Sequence, residues 1–221
     1  VIQTAYHILV ASSPELLEQG KGDIWDSGKI ESDASQWIAY QGKTLKRNAP
    51  YYWKVKIDTN KGTTDWSTPA FWTTGLFNEA DWQGQWIGLD KAAPGDSETQ
   101  WSRLAARYLR KEFALKKEVK RATVHIAGMG LYELFINGQR IGNQVLAPAP
   151  TDYRKTILYN TYDVTSLLQT ENAIGVTLGN GRFYTMRQNY KPYKIPTFGY
   201  PKLRLNLIVE YADGSKETIA T

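Results

Sequence analysis

The sequence predicts an all-β protein made of two antiparallel β-sandwich domains in tandem. The chain has 221 residues, which suits two domains of roughly 100 residues each. Helical periodicity is scarce, and most of the chain consists of short runs rich in Val, Ile, Tyr, Trp and Thr. Gly, Asn, Asp and Pro separate these runs, a pattern typical of antiparallel sheets. The hydrophobic fraction of 42% is large enough to form packed cores.

Residues 1–75 form the first predicted domain. Its clearest strand is YYWKVKID, in which Tyr52, Lys54 and Lys56 alternate with apolar residues, so that one face is apolar and the other is hydrated. One short helix is expected at 14–20, because a serine can cap it, a proline opens it and a glycine ends it. The predicted strands of this domain are 4–11, 23–30, 36–40, 50–59 and 69–74.

Residues 76–106 are predicted to be a junction, and residues 107–221 to be the second domain. The junction contains the aromatic stretch DWQGQWIG and continues in polar sequence with Pro and Gly, as a loop does. In the second domain, Asn137-Gly138 lies between two apolar runs and predicts a hairpin with a type I′ turn. The stretch 211–219 predicts another hairpin, through Asp213-Gly214. The predicted strands are 107–114, 121–127, 130–137, 139–141, 156–161, 173–178 and 202–211.

The composition excludes several classes of function. The chain has no cysteine, so it contains no disulfide, thiolate zinc site or cysteine nucleophile. Its 27 basic and 22 acidic residues give a net charge of +5. The two signs are interleaved, and the densest basic run, 116–121, falls in an expected turn, which favours a solvated surface over a nucleic-acid site. No stretch approaches the ~20 apolar residues of a membrane span, and no signal peptide is visible.

Three motifs, in this order, carry a resemblance to a known family: LYELFING, TDYRKTILYNTYDVT and LGNGRFY. Together with ARYLRKEFAL upstream, they resemble the N-terminal β-sandwich of bacterial α-L-rhamnosidases. The earlier stretches AYHILVASS, IWDSGKI and YYWKVKIDTNKG resemble the fibronectin type III-like segment that precedes this sandwich in the same enzymes. The resemblance implies a fibronectin type III-like sandwich over 1–75 and a jelly-roll-like sandwich over 107–221, both incomplete at the ends of the chain.

The resemblance also implies that the chain is a non-catalytic N-terminal part of a larger glycosidase. In such enzymes, paired carboxylates in a later (α/α)₆ barrel hydrolyse terminal α-L-rhamnosides with inversion. Catalytic residues are therefore expected outside this chain, and the barrel is its expected partner. A periplasmic, secreted or cell-surface location is expected, and a cytoplasmic one stays open. Two alternatives remain, a carbohydrate-binding module for rhamnose-containing glycans and a surface adhesion sandwich.

The stretch VTLGNGRFY holds the main candidate site. Its GNG is followed by neither the lysine nor the helix of a phosphate loop, so a nucleotide site is not expected. Some rhamnosidase sandwiches of this type bind rhamnose with Ca²⁺, and the resemblance places the corresponding loops near Asn137 and Asn180, at one end of the sandwich. These two asparagines are the candidate calcium ligands. The candidates for binding sugar or calcium are Asn137, Asp152, Tyr153, Asn180, Arg182 and Tyr184.

Each candidate also has a purely structural interpretation. Asn137 fits the first position of the type I′ turn, and Asn180 fits a turn residue whose amide fastens the loop. The tyrosines fit the core or the edge of a sandwich. Arg182 stands where the family usually has an aromatic residue, and this departure disfavours a calcium-dependent rhamnose site.

Two further features have no clear role in the candidate site. His7 and His125 fall in strand patterns and are interpreted as packed or surface residues of strands. The loop at 185–200 is long for a connection in a sandwich, and long loops are often functional. We expect it to fold over a later catalytic domain or to line a substrate groove.

Overall fold

The structure of the chain is a computed structural model that describes residues 1–91, 103–185 and 197–221. It divides into two compact units, Val1–Phe77 and Asn78–Thr221. All strand pairs in the described residues are antiparallel, so the predicted all-β class is confirmed. The elements are β1 (Gln3–Ala11), α1 (Pro14–Glu18), β2 (Trp25–Glu31), β3 (Pro50–Thr59), β4 (Gly62–Thr63), β5 (Ala70–Thr73), β6 (Ile87–Gly88), β7 (Arg107–Ala114), β8 (Val119–Met129), β9 (Leu131–Ile136), β10 (Gln139–Ile141), β11 (Tyr159–Asp163), β12 (Glu171–Gly179), β13 (Lys202–Tyr211) and β14 (Lys216–Ala220).

The first unit is built on one sheet in the order β2-β1-β3-β4, with β5 also paired to β3. The helix α1 packs on this sheet through Leu17, which is fully buried with Leu9 and Ala11. The ammonium group of Lys54 donates a hydrogen bond to the Leu17 carbonyl and so fastens the end of the helix to β3. The short helix and four of the five strands predicted for this unit are present.

The predicted strand at 36–40 is wrong. This segment forms no strand, because Trp37 has a φ of +61°, which strand backbone does not adopt. The Trp37 side chain is 94% exposed. Tyr40 instead contacts Trp25 edge-on, with 5.3 Å between the ring centroids, and donates its hydroxyl to the Lys43 carbonyl at 2.6 Å.

The second unit is a sandwich of two sheets, β10-β9-β12-β7 and β11-β8-β13-β14, with β6 added to β13. Alternate residues of both sheets form a single hydrophobic cluster. Its fully buried members include Ile126 and Leu207 of one sheet and Leu134, Ile136 and Leu178 of the other. Both predicted hairpins are present, since Asn137 and Gly138 have φ of +51° and +82° between β9 and β10, and Gly214 has +80° between β13 and β14.

Residues 78–88, which the sequence analysis assigns to a junction, belong to the second unit. The reason is a pair of buried polar side chains on β13. Asn206 accepts a hydrogen bond from the Gly84 amide at 2.9 Å, and Arg204 donates to the Gly84 carbonyl at 2.7 Å. A short 3₁₀ turn at Glu79–Asp81 precedes these contacts. The aromatic stretch DWQGQWIG is therefore fixed to β13 through its backbone.

Candidate functional site

The candidate site is a cavity of about 580 Å³ in the second unit, where β12 ends and β9 begins. Gly179 and Leu131, at these two strand ends, are paired in the sheet. Gly181 has a φ of +52°, and a side chain there would meet the Gly130 and Leu131 backbone at 3.0–3.1 Å. The GNG turn thus needs glycine at position 181, because it packs directly against the turn between β8 and β9. The cavity is lined by Arg103, Leu131, Leu146, Pro150, Tyr153, Asn180, Gly181, Arg182, Tyr184 and Thr185.

Four of the six predicted site residues line this cavity together, namely Tyr153, Asn180, Arg182 and Tyr184. The residues come from two motifs about 30 positions apart, TDYRK and GNGRFY. The fold brings these two motifs to the same end of the sandwich. Their role in binding stays a prediction.

Packed aromatic rings form one wall of the cavity. Tyr153 contacts Phe183 and Phe198 edge-on, with centroids 5.2 and 5.3 Å apart, and Phe183 stacks on Phe198 at 5.9 Å. Tyr184 stacks on Tyr200 at 5.8 Å. Burial raises the pKa of Tyr153, and the nearby positive charge of Arg182 partly opposes this shift. The rings are thus held in place by one another, and two of them present surface to the cavity.

The amide side chain of Asn180 fastens this end of the sandwich. Its Nδ2 donates to the Leu104 carbonyl at 2.9 Å, and its backbone carbonyl accepts a hydrogen bond from the Tyr184 amide at 3.2 Å. Its Oδ1 is buried and has no hydrogen-bond partner among the described residues. Asn180 therefore shapes the turn, as the structural interpretation expects, and leaves one acceptor unused.

Asn137 lies at the other end of the same strands, in contrast to the expectation that it shares one end with Asn180. It follows β9 and is bonded to Ala173 near the start of β12, so the two asparagines are roughly 20 Å apart at ~3.3 Å per strand residue. Its side chain makes three hydrogen bonds, to Leu167, Asn172 and Ala173, at 2.9–3.0 Å. These hydrogen bonds hold the Asn137 side chain in the structure next to the turn. Because of the distance between them, Asn137 and Asn180 cannot bind one ion.

Asp152 precedes Tyr153 but is bound elsewhere. Its carboxylate pairs with the Arg154 guanidinium, at 2.9 Å from Nε and 3.2 Å from Nη2. This hydrogen-bonded pairing holds the pKa of Asp152 below its usual value. The carboxylate therefore stays ionised and is already neutralised by its neighbour.

The residues of the cavity do not fit a calcium ion. Ca²⁺ takes six to eight oxygen ligands, mostly carboxylates and carbonyls. The described lining contains two arginines and no carboxylate. In the described parts of the chain, no group of three His, Asp or Glu side chains could hold a metal. The unused Asn180 oxygen alone is too little for such a site.

A second cleft of about 290 Å³ also has Tyr153 in its lining. Its walls include Trp82, Trp86 and Tyr159, and its floor includes the buried Arg204, whose guanidinium lies 5.2 Å from the Trp82 ring. The sequence analysis singled out DWQGQWIG as aromatic but did not connect it with Tyr153. The signal was present in the two tryptophans, but only the pairing with β13 brings them beside the tyrosine.

Each of the two units matches a known protein family. Residues 1–78 match the family described as Rha78A-like, N-terminal immunoglobulin domain, and residues 117–221 match the family described as Alpha-L-rhamnosidase N-terminal domain. The chain belongs to the N-terminal region of α-L-rhamnosidases. The first unit was expected to resemble fibronectin type III, and immunoglobulin and fibronectin type III domains share the same sandwich architecture.

Relatives of the α-L-rhamnosidase region extend along the whole chain. An α-L-rhamnosidase of Formosa agariphila is 39% identical over 97% of this chain, and one of Alteromonas sp. is 33% identical over 99%. The chain spans about a quarter of the length of these relatives, 24% in each case. The α-L-rhamnosidase structure from Dictyoglumus thermophilum matches with a TM-score of 0.87 and 41% identity, over 100% of this chain and 25% of that one. The α-L-rhamnosidase structure from Aspergillus terreus matches with a TM-score of 0.84 and 30% identity, over 99% of this chain and 24% of that one.

Proposed function

We propose that the protein containing this chain hydrolyses terminal α-L-rhamnosides with inversion, and that these two units position or support its catalytic domain. One observation carries the proposal: α-L-rhamnosidases match both units, in the same order, along nearly the whole chain at up to 41% identity. The chain spans only 24% of such a relative, so the remainder has room for a helical catalytic barrel.

The chemistry of the described cavities supports a non-catalytic role for this region. Inverting glycosidases need two carboxyl groups about 6.5–9.5 Å apart. None of five cavities lined by described residues has more than one carboxylate, and these are Glu79, Asp90 and Asp58, each in a different cavity. This lining supports the proposal that the catalytic pair belongs to the partner domain on the same polypeptide.

The proposal includes a location in the periplasm, at the cell surface or outside the cell, because an enzyme encounters polymeric glycans in these compartments. No helix in the described parts of the chain is long and apolar enough to cross a membrane. Fractionation of cells that express the native gene, followed by immunoblotting, tests the location. Recovery in the cytoplasmic fraction alone would contradict it.

The activity is tested with the complete gene product and with the 221-residue chain, both on an aryl α-L-rhamnoside. We expect the complete protein to release rhamnose with initial β-anomeric configuration, as seen by proton NMR, and the chain alone to release none. A folded complete protein without activity, or an active isolated chain, would contradict the proposal. Initial release of the α-anomer would contradict only the inverting mechanism.

A second candidate function is carbohydrate binding by the second unit. The observation that favours it is the cavity in which Tyr153 and Tyr184 present aromatic surface beside the polar side chain of Arg182. Sugar sites combine an apolar aromatic wall with a few polar groups that fix orientation. Calorimetric titration of L-rhamnose into the chain, with and without a chelator, tests it. We expect weak binding that Tyr184→Ala removes and the chelator leaves unchanged, and a flat titration at millimolar sugar would leave only the supporting role.

A further inference from the structure

Among the described residues, the lining of the cavity at the end of the sandwich carries positive charge and no negative charge. Arg103 and Arg182 both line it and both are exposed, while the described lining contains no carboxylate. The chain has 22 acidic residues that could form ion pairs with its arginines. Other arginines of the second unit are paired with acids, as in Arg140–Glu133 and Arg154–Asp152.

The local backbone explains why Arg182 faces the cavity. The next residue, Phe183, is 8% exposed and packs into the aromatic cluster with Tyr153 and Phe198. Because the ring of Phe183 turns inward, the preceding side chain is left on the outer, cavity side of the turn. The positive charge of Arg182 lowers the pKa of Tyr153, another lining residue, against the larger effect of burial. The charge is thus next to the aromatic wall, where a sugar ring would lie.

Two guanidinium groups in one cavity have a specific chemical consequence. Both repel a divalent cation, and both attract an anion that binds between or beside them. A guanidinium matches carboxylate and sulfate oxygens with two parallel hydrogen bonds, which a neutral hydroxyl cannot reproduce. The arrangement disfavours a calcium-bridged neutral sugar and favours a ligand that brings its own negative charge.

We infer that this cavity binds a saccharide bearing a carboxylate or a sulfate ester, directly through Arg103 and Arg182 and without a metal ion. The aromatic surface of Tyr153 and Tyr184 takes the apolar face of the sugar ring. This inference rests on the second candidate function, carbohydrate binding, and names the class of sugar. It is independent of whether the complete protein is a rhamnosidase.

The test is a calorimetric titration of the 221-residue chain with matched pairs of sugars. One pair is methyl β-D-glucuronide and methyl β-D-glucoside, and the other is methyl α-L-rhamnoside with and without a 3-sulfate. We expect at least one acidic member to bind about tenfold more tightly than its neutral partner at low salt, with the advantage reduced as salt screens the charges. Arg182→Ala and Arg103→Ala should each remove most of this advantage, and Arg182→Lys should keep part of it.

The matched control is Arg110→Ala, which removes an exposed arginine of β7 that lies outside this cavity. It should leave all affinities unchanged, and thermal melting should show all variants folded. Addition of a chelator or of Ca²⁺ should have no effect. The preferred member of the pairs distinguishes a carboxylate ligand from a sulfate ligand.

Several results would overturn the inference. Equal binding of neutral and acidic sugars would leave carbohydrate binding intact but remove the charge selection. No binding of any sugar would remove both the inference and the second candidate function, while the rhamnosidase assay would still decide the first. Sulfate ion alone binding as tightly as the sulfated sugar, or equal losses in Arg110→Ala, would show a general attraction of anions instead of a saccharide site.

Discussion

The Nδ1 atom of His125 lies 3.0 Å from the Oγ1 atom of Thr161, in the middle of the pairing between β8 and β11. The His125 side chain is fully buried. The ring of Tyr159 contacts it edge-on at 5.9 Å, and Arg121 adds a positive charge nearby. Burial, with a smaller effect from Arg121, lowers the pKa of His125 to about 4. The imidazole is therefore neutral in the folded protein at ordinary pH.

This burial predicts that the second unit loses stability in mild acid. The unfolded chain binds a proton at His125 near pH 6.5 and the folded chain only near pH 4, so stability is complete above about pH 6.5 and falls as the pH drops below it. The loss due to His125 alone should reach about 3 kcal/mol at pH 4.

Urea unfolding at pH 7 and pH 4.5 measures this loss. His125→Gln should reduce the difference in unfolding free energy between the two pH values, because glutamine can still bond to Thr161 and does not titrate. The control is His7→Gln, in a histidine that lies partly exposed beside Asp26. An equal acid sensitivity of the wild type and His125→Gln would show that the carboxylates alone cause the loss.

The hairpin residue Asn137 is predicted to stabilise the fold without taking part in binding. Asn137→Gly keeps the left-handed backbone but loses three side-chain hydrogen bonds, and should lower the free energy of unfolding by about 2–3 kcal/mol. Asn137→Ala should cost about 1 kcal/mol more, because its φ of +51° is unfavourable for alanine.

Chemical denaturation measures both variants of Asn137, and the control is Asn143→Ala in the exposed segment after β10. Sugar titrations of Asn137→Gly should match those of the wild type, since the residue lies at the far end of the sandwich from the cavity. A loss of binding with unchanged stability would contradict this assignment.

Local pattern was enough to predict much of this fold. The bounds of β3, β7, β10 and β13 agree with the prediction, because alternation and Asn-Gly turns act over a few neighbouring residues. The strand predicted at 36–40 is absent. Its residue types suit a strand, but a strand also needs a partner strand to pair with, and no local pattern reveals whether one is available. Residues 186–196, most of the loop expected to contact a catalytic domain, lie outside the described residues.

The candidate site was predictable in part. The motifs TDYRK and GNGRFY named four lining residues. Arg103 was missed because no local pattern shows that the start of β7 pairs with the end of β12. Asn137 was placed at the wrong end. Antiparallel pairing of β9 with β12 puts the residue after β9 and the residue after β12 at opposite ends of the sheet. A topological argument would have separated them, whereas the resemblance of motifs did not.

Arg204 is predicted to hold the segment 78–88 to the second unit. Its guanidinium is almost fully buried and donates to the Gly84 and Trp82 carbonyls and to Glu79. Arg204→Met should destabilise the chain by about 2–4 kcal/mol, because it leaves buried carbonyls without donors.

The partner Glu79 gives the first comparison for Arg204. The Glu79 side chain is 81% exposed, so Glu79→Gln should cost less than about 1 kcal/mol. Arg140→Met, in an exposed pair with Glu133, is the matched arginine control and should also have a small effect. Chemical denaturation measures the free energies of unfolding, and the rate of proteolytic cleavage near Trp82 measures how firmly the segment 78–88 is held. Equal effects of the two arginine variants would show that the segment is held by other contacts.

Gly181 and Gly214 offer a matched test of why the GNG turn needs glycine. Both have positive φ, +52° and +80°, so alanine should cost about 1 kcal/mol of backbone strain at either position. At Gly214 an added Cβ has open space, whereas at Gly181 it would lie 3.0 Å from the Gly130 backbone and the Leu131 side chain. Overpacking of this kind costs a further ~1–3 kcal/mol.

Gly181→Ala should therefore destabilise the chain more than Gly214→Ala, and thermal or urea unfolding measures the difference. The contact with Leu131 has a second consequence, because Leu131 also lines the cavity. A shift of the two turns away from each other would move Asn180 and Arg182 relative to Tyr153, so Gly181→Ala should also weaken binding of acidic sugars. Gly214→Ala should leave it unchanged. Equal stability losses would mean that the two turns separate easily and that the close packing of GNG does not fix the cavity.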